Sequence, residues 1–205
     1  MAQDPLYYTI TQNYSCEHRV KDSLFIAHLA PTPSREEADQ FITKIREKHN
    51  DATHNCFAWR IGHADQCEYR FDDDGEPGGS SGRPILQAME GRQLGDAVIV
   101  VTRYFGGTKL GVGGLIRAYS GAAFVVMDAA RFVPVIAKTR LMIIFDFDQT
   151  GPVHNILSQF GAKIIDTSYS QKVSLTCEIS ADQEDDLTRQ LTDASRGKVQ
   201  LSVVE

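Results

Sequence analysis

The sequence predicts an α+β protein of two domains, residues 1–134 and 137–205. Both halves mix strand-like runs of β-branched and apolar residues with amphipathic helical patterns. Pro134 interrupts the pattern, which then restarts with a complete β-α-β-β-α-β order typical of a ferredoxin-like domain. The length of 205 residues and the hydrophobic content of 42% suit two small soluble domains.

The first half begins with two extended segments in residues 7–31. A helix is predicted to begin at Ser34, because Glu37 completes a capping box and Ala38, Ile42 and Ile45 share one face. The remaining predicted elements are strands at 54–62 and 67–71, a short helix at 83–90, a buried central strand at 96–102 and a long helix at 113–131. That last helix is apolar nearly all round, so we expect it to be buried on more than one side.

The second half repeats the alternation on a smaller scale. The predicted elements are a strand at 138–147, a helix at 150–160, strands at 163–169 and 172–179, a helix at 181–195 and a strand at 199–204. Gly161 follows the first of these helices as a stop signal, and Ser180 with Gln183 predicts the cap of the second.

Charge and composition exclude several classes of protein. The net charge of −6 argues against nonspecific coating of nucleic acid, although a local basic patch is compatible with it. The first residues show no secretory signal, and the longest uncharged apolar run, residues 118–127, is too short to span a bilayer. We therefore expect a cytoplasmic protein without membrane contact, whose four cysteines are free thiols. These are Cys16, Cys56, Cys67 and Cys177.

A glycine-dense basic stretch, residues 103–117, joins the predicted central strand to the long helix. Its cations and the backbone amides of a helix start could hold a phosphate or a carboxylate. The glycine spacing fits neither a P-loop nor a dinucleotide-binding fingerprint. Three readings stay open: a tight structural connection, contact with RNA or another macromolecule, and a small phosphate site. The predicted binding residues are Arg103, Tyr104, Gly106, Gly107, Lys109, Gly111, Gly113, Gly114 and Arg117.

An acidic loop precedes the short helix. Asp73, Asp74 and Glu76 could hold Mg²⁺, form a solvated turn, or complement the start of the following helix. No metal, cofactor or catalytic residue is assigned on this basis. A zinc site at His54, Cys56, His63 and Cys67 is disfavoured, because the spacing is irregular; a buried thiol with a hydrogen-bonded histidine fits better.

Three motifs together closely resemble the IMPACT/YigZ family, and specifically its bacterial members. Residues 73–77 read Asp-Asp-Gly-Glu-Pro, residues 103–107 read Arg-Tyr-Phe-Gly-Gly, and residues 54–59 read His-Asn-Cys-Phe-Ala-Trp. The resemblance covers the whole chain, with Ser80 and Ser81 as a departure from the family's Thr-Ala. It implies a first domain similar to the second domain of a small-subunit ribosomal protein, and a pair of domains similar to the last two of elongation factor G.

The resemblance also implies an association with translation. Eukaryotic members regulate translation by binding an activator of a starvation-sensing kinase, but that pathway is not bacterial, so its partner is not carried over. We expect a non-enzymatic protein that contacts RNA, the ribosome or a translation factor through the basic loop. The alternatives are a nucleotide- or phosphate-binding enzyme that uses the acidic cluster as metal ligand or base, and a protein–protein adaptor. The sequence does not specify an oligomeric state.

Overall fold

The computed structural model describes residues 4–63 and 67–204 and divides the chain into two compact units. The first unit is Leu6–Val135, and the second comprises the described residues 4–5 and 136–204. Both units mix helices with antiparallel sheets, so the α+β class predicted from the sequence is confirmed. No helix among the described residues is long and apolar enough to cross a membrane.

The first unit is built on a five-stranded antiparallel sheet with the order β2-β3-β6-β4-β5. Its strands are β2 (Tyr14–Val20), β3 (Ser23–Pro31), β4 (His54–Ile61), β5 (Glu68–Asp72) and β6 (Ala97–Tyr104). Its helices are α1 (Arg35–Lys48), α2 (Gly82–Gly91) and α3 (Val112–Asp128). A separate two-stranded pair joins β1 (Tyr7–Thr9) to β7 (Val133–Val135).

The central strand β6 carries core side chains on both faces, and seven of its eight residues are buried. Ile99 and Val101 pack in the core beneath α2 and α3, whereas Val98 and Val100 belong to the core beneath α1. A strand covered on both faces reads as a continuous apolar run, as the sequence indicated. The predicted cap of α1 is also present, because Ser34 Oγ accepts a hydrogen bond from the Glu37 amide at 3.3 Å.

The expectation that the long helix is buried on several sides is wrong. Helix α3 buries one face, which includes Leu115, Tyr119 and Val126, against the sheet. Ile116 and Phe124 are each 39% exposed on other faces of the same helix. Helix α3 packs against both the sheet and α2 through its one buried face, and apolar composition alone does not bury the rest, so these side chains stay at the surface of the unit.

The second unit has one four-stranded antiparallel sheet, with the order β11-β8-β10-β9, and two helices. Its elements are β8 (Lys138–Phe145), α4 (Thr150–Gln159), β9 (Lys163–Tyr169), β10 (Val173–Ser180), α5 (Glu184–Ser195) and β11 (Gln200–Val204). Its core includes Phe145, Leu157, Leu175 and Leu187. A 3-10 turn, Ala181–Gln183, occupies the predicted first turn of the last helix, so α5 begins three residues later than expected.

Candidate functional site

The two glycine-rich loops meet beyond the end of β6 and enclose a cavity of about 360 Å³. We call residues 72–84 the first loop and residues 105–117 the second loop, and each range includes the first turn of the helix that follows. The cavity is lined by Thr53, His54, Glu76, Pro77, Arg103, Phe105, Lys109, Leu110, Gly111, Val112 and Leu115. Strand β4, both loops, the end of β6 and helix α3 therefore all contribute, although they are distant in sequence.

A buried ion pair lies at the base of this cavity. Arg103 Nη1 is 2.6 Å from Glu76 Oε1, and the two residues are only 6% and 8% exposed. The Tyr119 hydroxyl donates to the same oxygen at 2.8 Å, and His54 Nε2 lies 3.9 Å from it. A buried guanidinium needs a buried counter-charge, so Glu76 holds Arg103 in place. Arg103 Nε is also buried and has no hydrogen-bond partner among the described residues.

Cys56 lies beside this pair, and its buried thiol is hydrogen-bonded. Its sulfur is 3.1 Å from the Asp73 carbonyl oxygen and 3.4 Å from the Tyr119 hydroxyl. Burial raises the pKa of the Cys56 thiol to about 12, so the thiol stays protonated at neutral pH. Burial, followed by the proximity of Cys56 and Glu76, also raises the pKa of Tyr119, which therefore acts as a hydrogen-bond donor.

Asp73 forms its hydrogen bonds within the first loop itself. Asp73 Oδ1 accepts hydrogen bonds from the Ser81 amide, the Ser81 hydroxyl and the Gly82 amide at 2.7–3.0 Å, and Oδ2 accepts one from Gly79 at 2.7 Å. Burial raises the pKa of Asp73, but these hydrogen bonds outweigh it and hold the pKa below its usual value. Asp73 thus caps the start of α2.

Asp74 holds the first loop to its surroundings. Its carboxylate binds Arg46 Nη2 at 2.8 Å and accepts a hydrogen bond from the Asn55 amide at 2.7 Å. Within the described ranges, no group of three or more histidine, cysteine, aspartate or glutamate side chains is arranged to hold a metal ion. Of the roles left open for the acidic cluster, the contacts of Asp73 fit complementing the following helix, whereas Asp74 and Glu76 pair with Arg46 and Arg103.

The second loop is held by its backbone and leaves its cations free. Gly106 packs so closely on Asp22 that a Cβ atom there would lie 1.9 Å from the Asp22 carbonyl oxygen. Gly111 has a φ of 73° and supplies no side chain to cap α3. Lys109 and Arg117 are exposed and form no ion pair with any described residue. In the part of the chain that the structure describes, no side chain caps the amides of the first turn of α3, at Gly113 and its neighbours.

Tyr104 does not line the cavity, because successive side chains of a strand point to opposite faces. Its hydroxyl donates to Asp51 at 2.9 Å and lies 3.0 Å from His49 Nδ1, beyond the end of α1. The next residue, Phe105, lines the cavity instead and is 44% exposed. From the sequence, Tyr104 and Arg103 are both predicted to be binding residues. Strand alternation puts the side chains of these two neighbours on opposite faces of β6.

Two family models match the chain. One, described as the Impact N-terminal domain, matches residues 21–127, and the other, described as a domain of unknown function (DUF1949), matches residues 143–198. The chain is 37% identical over 190 residues to the IMPACT family member YigZ of Escherichia coli, with 91% of this chain and 92% of that protein covered. It is 34% identical over 195 residues to the family member YvyE of Bacillus subtilis, with 94% and 88% covered.

Two further similarities differ in how much of the chain they cover. The human protein named Protein IMPACT is 37% identical over 93 residues, which cover 43% of this chain and 28% of the human protein. A solved structure titled as that of a hypothetical protein has a TM-score of 0.70 and 32% identity, with 97% of both chains covered.

Proposed function

The chain belongs to the IMPACT family, and from this premise we propose that it is a non-enzymatic, translation-associated protein that contacts RNA on the ribosome. The contact is made by the second loop and the start of α3. The resemblance to a family whose eukaryotic members regulate translation supports the association with translation. The geometry of the second loop supports the mode of contact.

One observation carries the proposal: apolar and cationic side chains are exposed together on this loop. We define the loop surface as Phe105, Lys109, Val112, Ile116 and Arg117. Phe105, Val112 and Ile116 are 44%, 54% and 39% exposed. Phe105, Lys109 and Val112 line one cavity, and Ile116 follows Val112 by one helical turn. Exposed aromatic groups stack on bases, and unpaired cations bind phosphates.

Arg103 takes a different role from the one expected of it. It is buried in an ion pair with Glu76, so Lys109 and Arg117 are the phosphate contacts and Arg103 shapes the base of the cavity. Two phosphate contacts on an otherwise acidic protein favour a local contact that depends on salt, rather than broad coverage of nucleic acid.

The test is co-sedimentation with ribosomes, together with binding of single-stranded RNA, over a range of salt concentrations. The variant Lys109→Glu/Arg117→Glu is compared with Lys44→Glu/Arg131→Glu, which makes the same charge change at exposed residues elsewhere in the first unit. We expect the loop variant to lose binding and the control variant to keep it. Replacing both contacts by neutral glutamine should lower the salt slope of log K by about 1.4.

Equal binding by the loop variant and its control would contradict the proposal. Binding to a purified translation factor, without binding to RNA, would contradict the proposed RNA contact. The association with translation would still be supported. The enzyme alternative draws no support from the first loop, because Asp73, Asp74 and Glu76 already bind protein groups. A rise in melting temperature with a nucleotide and Mg²⁺ that is lost in Asp74→Asn would favour that alternative.

The finer descriptions of the two units belong to the same proposal. We assign the second unit to the ferredoxin-like class, because its element order and its sheet order β11-β8-β10-β9 support that class. The similarity of the first unit to the second domain of a small-subunit ribosomal protein, and a cytoplasmic location, follow from the resemblance to the family.

A further inference from the structure

We propose that the cavity between the two loops binds one unstacked nucleotide of a single-stranded RNA, with the base inside and the phosphate at the rim. The inference rests on the proposed function and gives it a mode of recognition. It makes the site selective for single strands, because a base inside a duplex is stacked and paired and cannot enter.

The size and the walls of the cavity suit a flat base. The volume of about 360 Å³ lies within the range of sites that hold small molecules. The walls include the apolar side chains of Phe105, Leu110, Val112 and Leu115. Phe105 offers an aromatic ring that is 44% exposed, which is the type of surface on which bases stack.

The base of the cavity presents hydrogen-bond donors and acceptors side by side. Arg103 lines the cavity and is 94% buried, and its guanidinium carries more N–H donors than the one that bonds Glu76. Glu76 supplies an acceptor. His54 Nδ1 lies 2.7 Å from the Asp74 carbonyl oxygen, which only accepts, so Nδ1 donates to it and Nε2 is the ring nitrogen left for the cavity. Base edges carry the matching mixture of groups.

The rim is positively charged. Lys109 lines the cavity beside Gly111, at the start of α3, where unpaired amides and the helix dipole attract a phosphate. A Cβ atom at Gly111 would meet nothing within 4 Å, and one at Gly113 would meet only Arg117 Nη1, at 3.7 Å. The backbone there is open to a phosphate, and Arg117 lies next to it.

The first experiment uses the full chain and titrates it with the four nucleoside 5′-monophosphates, ribose 5-phosphate and inorganic phosphate, with chemical shifts as the readout. We expect at least one nucleotide to bind about tenfold or more tightly than ribose 5-phosphate, since stacking of one base contributes that much. Equal binding of ribose 5-phosphate, or binding by none of the nucleotides, would overturn the proposal.

A matched pair of variants locates the base. Val112→Trp fills the cavity from an exposed position, whereas Val125→Trp makes the same change at an exposed residue of α3 that neither lines the cavity nor belongs to the loop surface. We expect Val112→Trp to weaken nucleotide binding about tenfold and Val125→Trp to leave it within about twofold. Equal effects of the two variants would place the base elsewhere and refute the assignment.

The proposed function can fail separately from this inference. RNA that binds wild type and Val112→Trp equally, but not Lys109→Glu/Arg117→Glu, would keep the function and overturn the nucleotide site. Nucleotides that bind in the cavity, combined with no binding of single-stranded RNA or ribosomes, would overturn both and identify a free nucleotide as the ligand.

Discussion

The first and second loops connect the same kinds of elements, but their charged side chains differ in whether they are bound to protein groups or free. Each follows a strand, contains several glycines and leads into a helix. In the first loop, Asp73 accepts the amide hydrogens at the start of α2, and Asp74 binds Arg46. In the second loop, the start of α3 has Gly111 as its cap, and Lys109 is exposed without an ion pair to any described residue. The carboxylates of the first loop are bound to other protein groups, whereas Lys109 of the second loop faces solvent.

The difference teaches that charge density does not identify a binding surface. The acidic loop carries more charge per residue, yet its carboxylates stabilise the fold. The basic loop carries fewer charges, and its two outer cations face solvent. Arg103 belongs to the basic motif by sequence, but its side chain pairs with Glu76 of the acidic loop. Hydrogen-bond partners therefore separate the structural residues from the binding residues.

The largest effect is expected where the two loops are joined. Arg103→Met leaves Glu76 buried without its cation, which should lower the free energy of unfolding by roughly 3–5 kcal/mol in urea titrations. Lys109→Met, at the exposed cation, should change it by less than about 0.5 kcal/mol. Adding Glu76→Leu to Arg103→Met should recover much of the loss, because the uncompensated charge is then gone. Similar losses of unfolding free energy for Arg103→Met and Lys109→Met would contradict the expected difference between the buried and the exposed cation.

A smaller loss is expected at the carboxylate that caps α2. Asp73→Asn keeps the shape but removes the charge that accepts four hydrogen bonds, so it should cost roughly 2 kcal/mol at neutral pH. Because folding lowers the pKa of Asp73, its contribution is present above the unfolded pKa near 4 and is lost as the pH falls through the folded value.

Urea unfolding from pH 7 down to pH 2 measures this contribution. The stability curves of wild type and Asp73→Asn should converge in acid, whereas Glu47→Gln, at an exposed residue of α1, should run parallel to wild type throughout. A gap between wild type and Asp73→Asn that persists unchanged in acid would show that the carboxylate charge is not what stabilises the first loop.

Substituting one glycine in each loop tests the same difference between the loops. The expected loss of stability is similar to or smaller than that of Asp73→Asn. Gly106→Ala should lower stability by roughly 1–3 kcal/mol, because its Cβ would overlap the Asp22 carbonyl oxygen. Gly78→Ala should be nearly neutral, since nothing lies within 4 Å of its added Cβ and its φ is not positive. Thermal unfolding of the two variants measures the difference, and equal melting temperatures would mean that the second loop is not held at Gly106.

The smallest effect on folding is expected at the loop surface. Lys109→Glu/Arg117→Glu should change the free energy of unfolding by less than about 0.5 kcal/mol while abolishing binding to RNA. Chemical denaturation and an RNA binding assay on the same preparation test both statements. A large loss of stability would show that these cations support the fold, and the loss of RNA binding would then say nothing about contact.

Local patterns anticipated much of the fold but little of the site. The capping box at Ser34, the buried strand β6 and the element order of the second unit are encoded in residues a few positions apart, and all three are present. The partner of Arg103 is 27 residues away in sequence, and the Tyr119 hydroxyl bonds Glu76 across 43 residues. No local period relates residues at such separations.

The sequence by itself determined the α+β class, the helix and strand periods, and the two loops in which polar residues and glycines concentrate. Only the tertiary structure decided that Arg103 faces Glu76 while Tyr104 faces α1, that Asp73 closes the start of α2, and that Phe105 lines a cavity. The physical reason is that helix and strand periods depend on neighbours in the chain. Which charges are paired and which are free depends on the segments that folding brings together.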